Sequence, residues 1–347
     1  MNASLPTQYR FSHEYSVLLN QQLEHLINYG VQNKVYSIHI ELSDKKQSEE
    51  FSALNSTEIF DWLNNNGYRS HLEKMILMSL YPALISDMFL FIDEALNCLE
   101  KGRLTTAYSL FRKPLRDNLF YLEWLLVEPT NFAGMFYDKE PTEFVLDRML
   151  REEKVLPIIT KAVDRVGKTG IVIPEVIYEM RYKSKTGFYS LNAMWNQALH
   201  LITTSKSHNT PKREFNLIFS DDEDKFTQWE HIYSSIPVIL HYGIEIAEAL
   251  MFLVVGDRPS EFRINHFHRE LGFSVWSRDL VLRQNDPQLL KDFPNDLDDL
   301  YVKCPSCKKK IDVHQEQARA LFLDRKIKCQ YCNRGVSIES IVVNNPI

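Results

Sequence analysis

The feature that most restricts the fold of this chain is a pair of cysteine hairpins. Cys304-Pro-Ser-Cys307 and Cys329-Gln-Tyr-Cys332 are two Cys-x-x-Cys pairs separated by 21 residues. A tetrahedral thiolate site needs two close pairs converging from separate turns, and two intervening residues let each pair wrap one ion. In a reducing compartment such spacing reads as a metal clamp rather than as disulfides. It predicts one structural zinc ion on Cys304, Cys307, Cys329 and Cys332. Four protein thiolates close the coordination shell, which argues against catalysis at that ion. Pro305 tightens the first turn, and Gly335 follows the second where a left-handed backbone is useful. "KIKC" reads as a strand entering the second turn and "GVSIESIVV" as a strand leaving it, with "EQARALFLDR" as a helix between the knuckles. Zinc binding supplies on the order of 10–16 kcal/mol at neutral pH, which lets a short unit with little core fold. His314 is then a surface residue, not a ligand.

The cysteine turns and their strands resemble a zinc ribbon with a helical insert. Basic residues crowd them. From Tyr301 onward there are nine Lys/Arg against four Asp/Glu, so this segment carries +5 and residues 1–300 carry −11 of the net −6. An acidic body with a basic module points to a polyanionic partner for the module. Lys308, Lys309 and Lys310 follow one knuckle, and Arg325, Lys326, Lys328 and Arg334 surround the other. Tyr331 sits at a knuckle tip where it can stack on a base. These residues are candidates for contact with an RNA or DNA backbone. The alternatives are a solvated basic face, or a ribbon docked on its own acidic body.

The body reads as helix after helix. Apolar residues at Val17, Leu18, Leu23, Leu26 and Ile27 have helical spacing, and Gly30 stands where a terminating glycine is expected. "VYSIHIELSDKK" alternates briefly, as an edge strand would. Asn55 with Glu58, Ser70 with Glu73, and Ser220 with Glu223 have the capping-box pattern. Three long helices are expected: from Ser70 to Gly102 with Pro82 inside, from Leu104 to Pro129 with Pro114 inside, and from Asp221 to Gly256 with Pro237 inside. An interior proline costs roughly 3 kcal/mol, so these helices should pack on one another. The aromatic stripe Phe111, Phe120, Tyr121 and Trp124 is core. Met75–Ile92 is apolar enough to tempt a membrane assignment, but Pro82 and Asp87 inside it and Asp93-Glu94 after it favour a buried central helix. Cys98, the fifth cysteine, follows the apolar spacing and reads as a small buried hydrophobe.

No Gly-rich phosphate loop, Gly-x-Ser-x-Gly elbow or His-Glu-x-x-His motif occurs, and no Glu-x-x-His pair repeats as in di-iron bundles. Two weaker constellations remain. "MWNQALH" places Asn196 and His200 four apart, and "RINHFH" places Arg263 and His268 five apart. With "AYSLFRKPLRDNLFYLEWLL" and "SLNAMWNQALH", the body resembles the helical HEPN domains of prokaryotic defence and toxin–antitoxin systems. HEPN ribonucleases carry an Arg, four to six residues, then a His. Arg263 and His268 fit that spacing, with Ile264 where the family has a polar residue. His200 has the helix context and would take Arg181 or Arg116 in space. The resemblance implies a metal-independent attack of a ribose 2′-hydroxyl on its phosphate, with His moving the proton and Arg holding the charge.

The sequence thus predicts a mainly α protein, a multi-helix bundle with long Pro-kinked helices plus a small zinc-ribbon module. Residues 1–275 form the body, 276–300 an acidic linker and 301–347 the ribbon. The expected function is a zinc-binding, nucleic-acid-binding or regulatory component of a defence-type system. A HEPN-like ribonuclease and an interaction scaffold with a self-docked ribbon are the alternatives. Partners beyond nucleic acid would be another protein or a second copy. The N-terminal residues lack the basic-then-apolar pattern of a signal peptide, so a cytoplasmic location with no membrane is expected.

Overall fold

The computed structural model describes residues 4–55, 58–167, 172–183, 190–204, 209–210, 212–216, 222–256, 259–284 and 301–344. The body is built from α1 (Arg10–Gln32), α2 (Lys45–Ser52), α3 (Glu58–Asn65), α4 (Arg69–Glu100), α5 (Leu104–Arg112), α6 (Leu119–Val127), α7 (Pro129–Asp138), α8 (Leu146–Arg151), α9 (Val155–Val166), α10 (Pro174–Tyr182), α11 (Leu191–Leu199), α12 (Asp222–Val255) and α13 (Ser260–Gln284). The ribbon follows with strands β1 (Tyr301–Lys303) and β2 (Lys310–Asp312), helix α14 (Gln315–Asp324), strands β3 (Lys326–Lys328) and β4 (Gly335–Ser337), and helix α15 (Ile338–Asn344). The mainly α fold with a small C-terminal ribbon is as the sequence predicts.

The three proline-bearing helices meet in one core. α1 packs against both α4 and α12, α4 packs against α5, and α6 lies between α12 and α9. Pro82 and Pro237 sit inside continuous helices. At Pro114 the chain takes another course: Lys113–Asn118 forms a π-helical turn that joins α5 to α6. Proline has no N–H to offer, and its ring crowds the carbonyl one turn back. Widening the turn accommodates both, and π turns are a usual way for a helix to absorb such a defect. α4 and α12 are each long and apolar enough to cross a membrane by length and composition, and here both contribute to the shared apolar core. Cys98 is buried in that core, as expected.

Several local expectations are corrected. Asn55 and Glu58 do form a reciprocal capping box, each side chain accepting from the other's amide at 3.1 and 2.9 Å. Ser70 does not cap α4, which begins one residue earlier. Glu73 instead pairs with Arg69 at 3.6 Å and accepts from Thr130 at 3.2 Å. The Ser220–Glu223 box lies outside the described residues. Gly30 lies within α1 rather than after it, and a Cβ there would collide with the Tyr36 ring. The segment after it is not a strand: residues 37–42 adopt no regular secondary structure. "SEFRINHFHRELGFSVWSRD" is part of one continuous helix, α13. Position 276, the expected start of the linker, falls inside that helix, and residues 285–300 lie outside the described residues.

Candidate metal centre and the docked ribbon

Each cysteine pair sits at the tip of a two-stranded hairpin. β1 and β2 pair antiparallel with Val302 opposite Ile311, and β3 and β4 with Ile327 opposite Val336. These four apolar side chains point inward, as period-two alternation demands. In the first knuckle the Cys304 amide donates to Lys309 O at 3.0 Å and the Lys308 amide to Cys304 O at 2.9 Å. The second repeats this, Cys329 N to Arg334 O at 2.9 Å and Asn333 N to Cys329 O at 2.8 Å. The left-handed residue that closes each turn is Lys308 (φ 61°) in one and Asn333 (φ 58°) in the other. Gly335, expected to supply that conformation, is instead a strand residue opposite Lys328. "GVSIESIVV" is likewise a strand only to Ser337, after which α15 begins.

The two hairpin tips face each other. Cys304 Sγ lies 3.7 Å from Cys332 Sγ, Cys307 Sγ lies 3.7 Å from Cys329 Sγ, and all four sulfurs fall within 4.8 Å of one another. A tetrahedron with metal–sulfur bonds of about 2.3 Å has edges of about 3.8 Å, so the donor set fits a tetrathiolate metal ion. Electrostatics ask for one as well. The backbone amides of Cys307 and Ser306 draw the Cys304 thiol down to about 6. The Arg334 amide lowers Cys332 too, but burial and the neighbouring sulfurs outweigh it and push that thiol up to about 11. Four adjacent thiolates repel unless a cation lies between them.

The ribbon is clamped to the body through α14 and α15, which pack on α13. Phe322 of α14 inserts between Phe11 and Tyr15 of α1, with ring centroids 5.0 and 6.0 Å away. Gly272 of α13 makes room for it: a Cβ there would lie 2.6 Å from the Phe322 ring and 2.5 Å from the Tyr15 ring. Around this plug, Arg319 grips Asp279 with two bonds at 2.6 and 2.8 Å and lies over the Phe11 ring. Gln315 donates to Asp279 at 3.1 Å. His268 completes the seam. Its Nε2 is 2.8 Å from Phe322 O, and a carbonyl only accepts, so Nε2 carries the proton. Nδ1 then accepts from Arg325 at 3.3 Å.

That arrangement places two sets of candidate residues. His268 is 5% exposed and wedged against Phe322, and burial lowers its pKa. Arg263, five residues away on the same helix, is exposed, because five residues turn a helix to a different face. The two do not form a site. Arg325, expected on the basic face, is exposed but engaged, pairing with Glu339 at 2.7 Å as well as with His268. The second constellation also dissolves. His200 ends α11 on the surface, and the Asn196 amide nitrogen is spent on Asn192 O at 2.8 Å. Arg181 is fully buried with Glu123 at 2.5 Å, and Arg116 pairs with Asp117 and Asp147 at 2.8 and 2.6 Å. Neither is available to His200.

The remaining basic candidates stay in solvent. Lys308, Lys309, Lys310, Lys326, Lys328, Tyr331 and Arg334 are all exposed. Lys309 Nζ lies 4.7 Å from the centre of the Tyr331 ring, so the two knuckles touch through a cation–π contact. Lys310 covers the Tyr301 ring at 4.1 Å and pairs loosely with Asp312 at 3.6 Å.

One polar cluster in the body is absent from the candidates that the sequence offers. α12 carries His241 and Glu245, α13 carries His266 and Glu270, and the pairs cross. His241 Nε2 lies 3.4 Å from Glu270 Oε1, and His266 Nδ1 lies 3.4 Å from Glu245 Oε1. Arg269 braces them, reaching Glu245 at 2.7 Å, Glu248 at 3.0 Å and Gln22 at 2.5 Å. Burial pushes His241 down to about 3, keeping it neutral. Burial would raise Glu245, but Arg269 and then the histidines hold it well below the ordinary carboxylate range. The signal is present as two His-x-x-x-Glu spacings, "HYGIE" and "HFHRE", which place both donors of each pair on one helix face.

No protein-family model matches the chain, and no curated protein or solved structure matches it.

Proposed function

We propose that this chain is a zinc-ribbon protein that holds its ribbon on a helical body by one face and offers the opposite, basic face to nucleic acid. The observation that carries this reading is the division of charge within the ribbon. Arg319 turns to the seam and finds Asp279 of the body, and Arg325, though exposed, is taken up by Glu339 and His268. Lys308, Lys309, Lys310, Lys326, Lys328 and Arg334 stay exposed with Tyr331 among them. Zinc is the ion that best suits four thiolates at a tetrahedral edge, because it has no geometric preference of its own and favours sulfur. Lysines on a rigid platform meet phosphates, and an exposed tyrosine supplies a stacking surface for a base. The defence-type setting rests on the helical resemblance alone, and is tested by phage challenge of bacteria with and without the gene.

Binding of labelled single-stranded RNA and DNA, measured against salt, tests the main reading. Replacing Lys308, Lys309 and Lys310 with alanine should weaken binding. It should also flatten the slope of log K against log salt by about 0.7 for each phosphate that is no longer neutralised. An unchanged slope would leave the ribbon as a structural clamp. That second reading is favoured by the docking itself, which occupies α14 and α15 without any partner.

A further inference from the structure

We propose that His241, Glu245 and Glu270, with His266 at their edge, form a second metal site, for a divalent ion of the zinc, manganese or cobalt class. The site is separate from the four cysteines and stands independently of the nucleic-acid reading. Three observations support it. The ligand atoms of His241, Glu245 and Glu270 lie within 4.8 Å of one another. Metal–nitrogen and metal–oxygen bonds of about 2.1 Å give a tetrahedral edge of about 3.4 Å, and the two crossed His–Glu distances are 3.4 Å each. Second, His241 is 1% exposed, and its Nε2 faces the cluster with no hydrogen-bond partner among the described residues. An unpartnered buried imidazole nitrogen is costly unless something else binds it.

Third, the other nitrogen is placed as a metal ligand requires. His241 Nδ1 lies 2.7 Å from Tyr15 Oη. With Nε2 on a metal, Nδ1 carries the proton and donates to that hydroxyl, the outer-shell bond that fixes a ligand's tautomer and ring angle. Glu270 and His266 have side chains 34% and 30% exposed, so an ion reaches the cluster from their side. The nitrogen and carboxylate donors select a borderline cation over calcium or a thiophilic ion.

The test uses the purified full chain equilibrated with zinc, desalted and assayed for metal, followed by chelator competition for the more weakly held ion. Wild type should hold two ions per chain. Glu270→Gln is nearly isosteric at a part-exposed position, so circular dichroism should be unchanged. It should weaken the second ion by more than the roughly 10–100-fold typical of losing an outer-shell partner. His241→Ala should abolish the second ion. With cobalt, the second equivalent should add weak visible bands with no thiolate charge-transfer absorption. One ion per chain in wild type, or a second ion held equally well by Glu270→Gln and His241→Ala, overturns the proposal.

Discussion

The ribbon and the helical body reach order by opposite routes. The body buries long apolar stripes of α1, α4 and α12 against one another, and no single side chain decides its fold. The ribbon has strands of three residues and a few inward side chains, such as Val302, Ile311, Ile327 and Val336. A lone pair of such hairpins is at best marginally stable in water. Two things can compensate: an ion held by the four cysteines, and Phe322 seated in the body. The difference teaches that the ribbon has two separable anchors, each of which can fail without the other, whereas the body rests on its apolar core.

The sharpest way to break the comparison is to remove the ion. Chelation, or Cys304→Ser with Cys307→Ser, should forfeit on the order of 10 kcal/mol of binding energy and unfold residues 301–344. Amide exchange should show that change in the ribbon while α4 and α6 remain protected. If the ribbon stays protected without metal, the body alone orders it. Next in size is the plug. Phe322→Ala should cost about 3–5 kcal/mol, the usual range for deleting a buried phenyl ring. It should loosen the seam around His268 and Arg325 while the metal stoichiometry at the cysteines is kept. Melting followed by ribbon-specific NMR signals separates those effects.

A smaller effect addresses the body. His231 lies 2.8 Å from Tyr108 Oη, and burial lowers it to about 4. Its folded value is below its unfolded value of about 6.5, so the unfolded chain binds the extra proton. Stability is therefore full above about pH 6.5 and declines as pH falls toward 4. The drop between pH 6.5 and 5 should be about 2 kcal/mol from this residue, read as a shift in denaturation midpoint. His231→Gln, neutral throughout, should flatten that part of the profile. Smallest of all, neutralising Lys308, Lys309 and Lys310 should change stability by about 1 kcal/mol, the worth of the exposed cation–π contacts of Lys309 and Lys310. These side chains are exposed, so any effect on nucleic-acid affinity would belong to binding.

Local chemistry is legible where it depends on residues near one another in the chain. The Cys-x-x-Cys turns, the Asn55–Glu58 box and the helices carrying Pro82, Pro114 and Pro237 all follow from spacing and capping, which act over a few residues. Even there, competition shifts details: Lys308 and Asn333 take the left-handed positions expected of a glycine, since the knuckle's own hydrogen bonds offset their strain. What lies beyond sequence is who meets whom. His268 touches Phe322 across 54 residues, Tyr15 touches His241 across 226, and Arg269 reaches Gln22 across 247. Periodicity says which face of a helix is apolar, not which neighbour covers it. The sequence alone therefore determined the helical class of the body and the four sulfur donors. Only the packing of α12, α13 and the ribbon decided that His268 is wedged against Phe322 on a different helix face from Arg263, and that two His-x-x-x-Glu spacings converge. Both depend on burial and on neighbours that meet only when distant helices close.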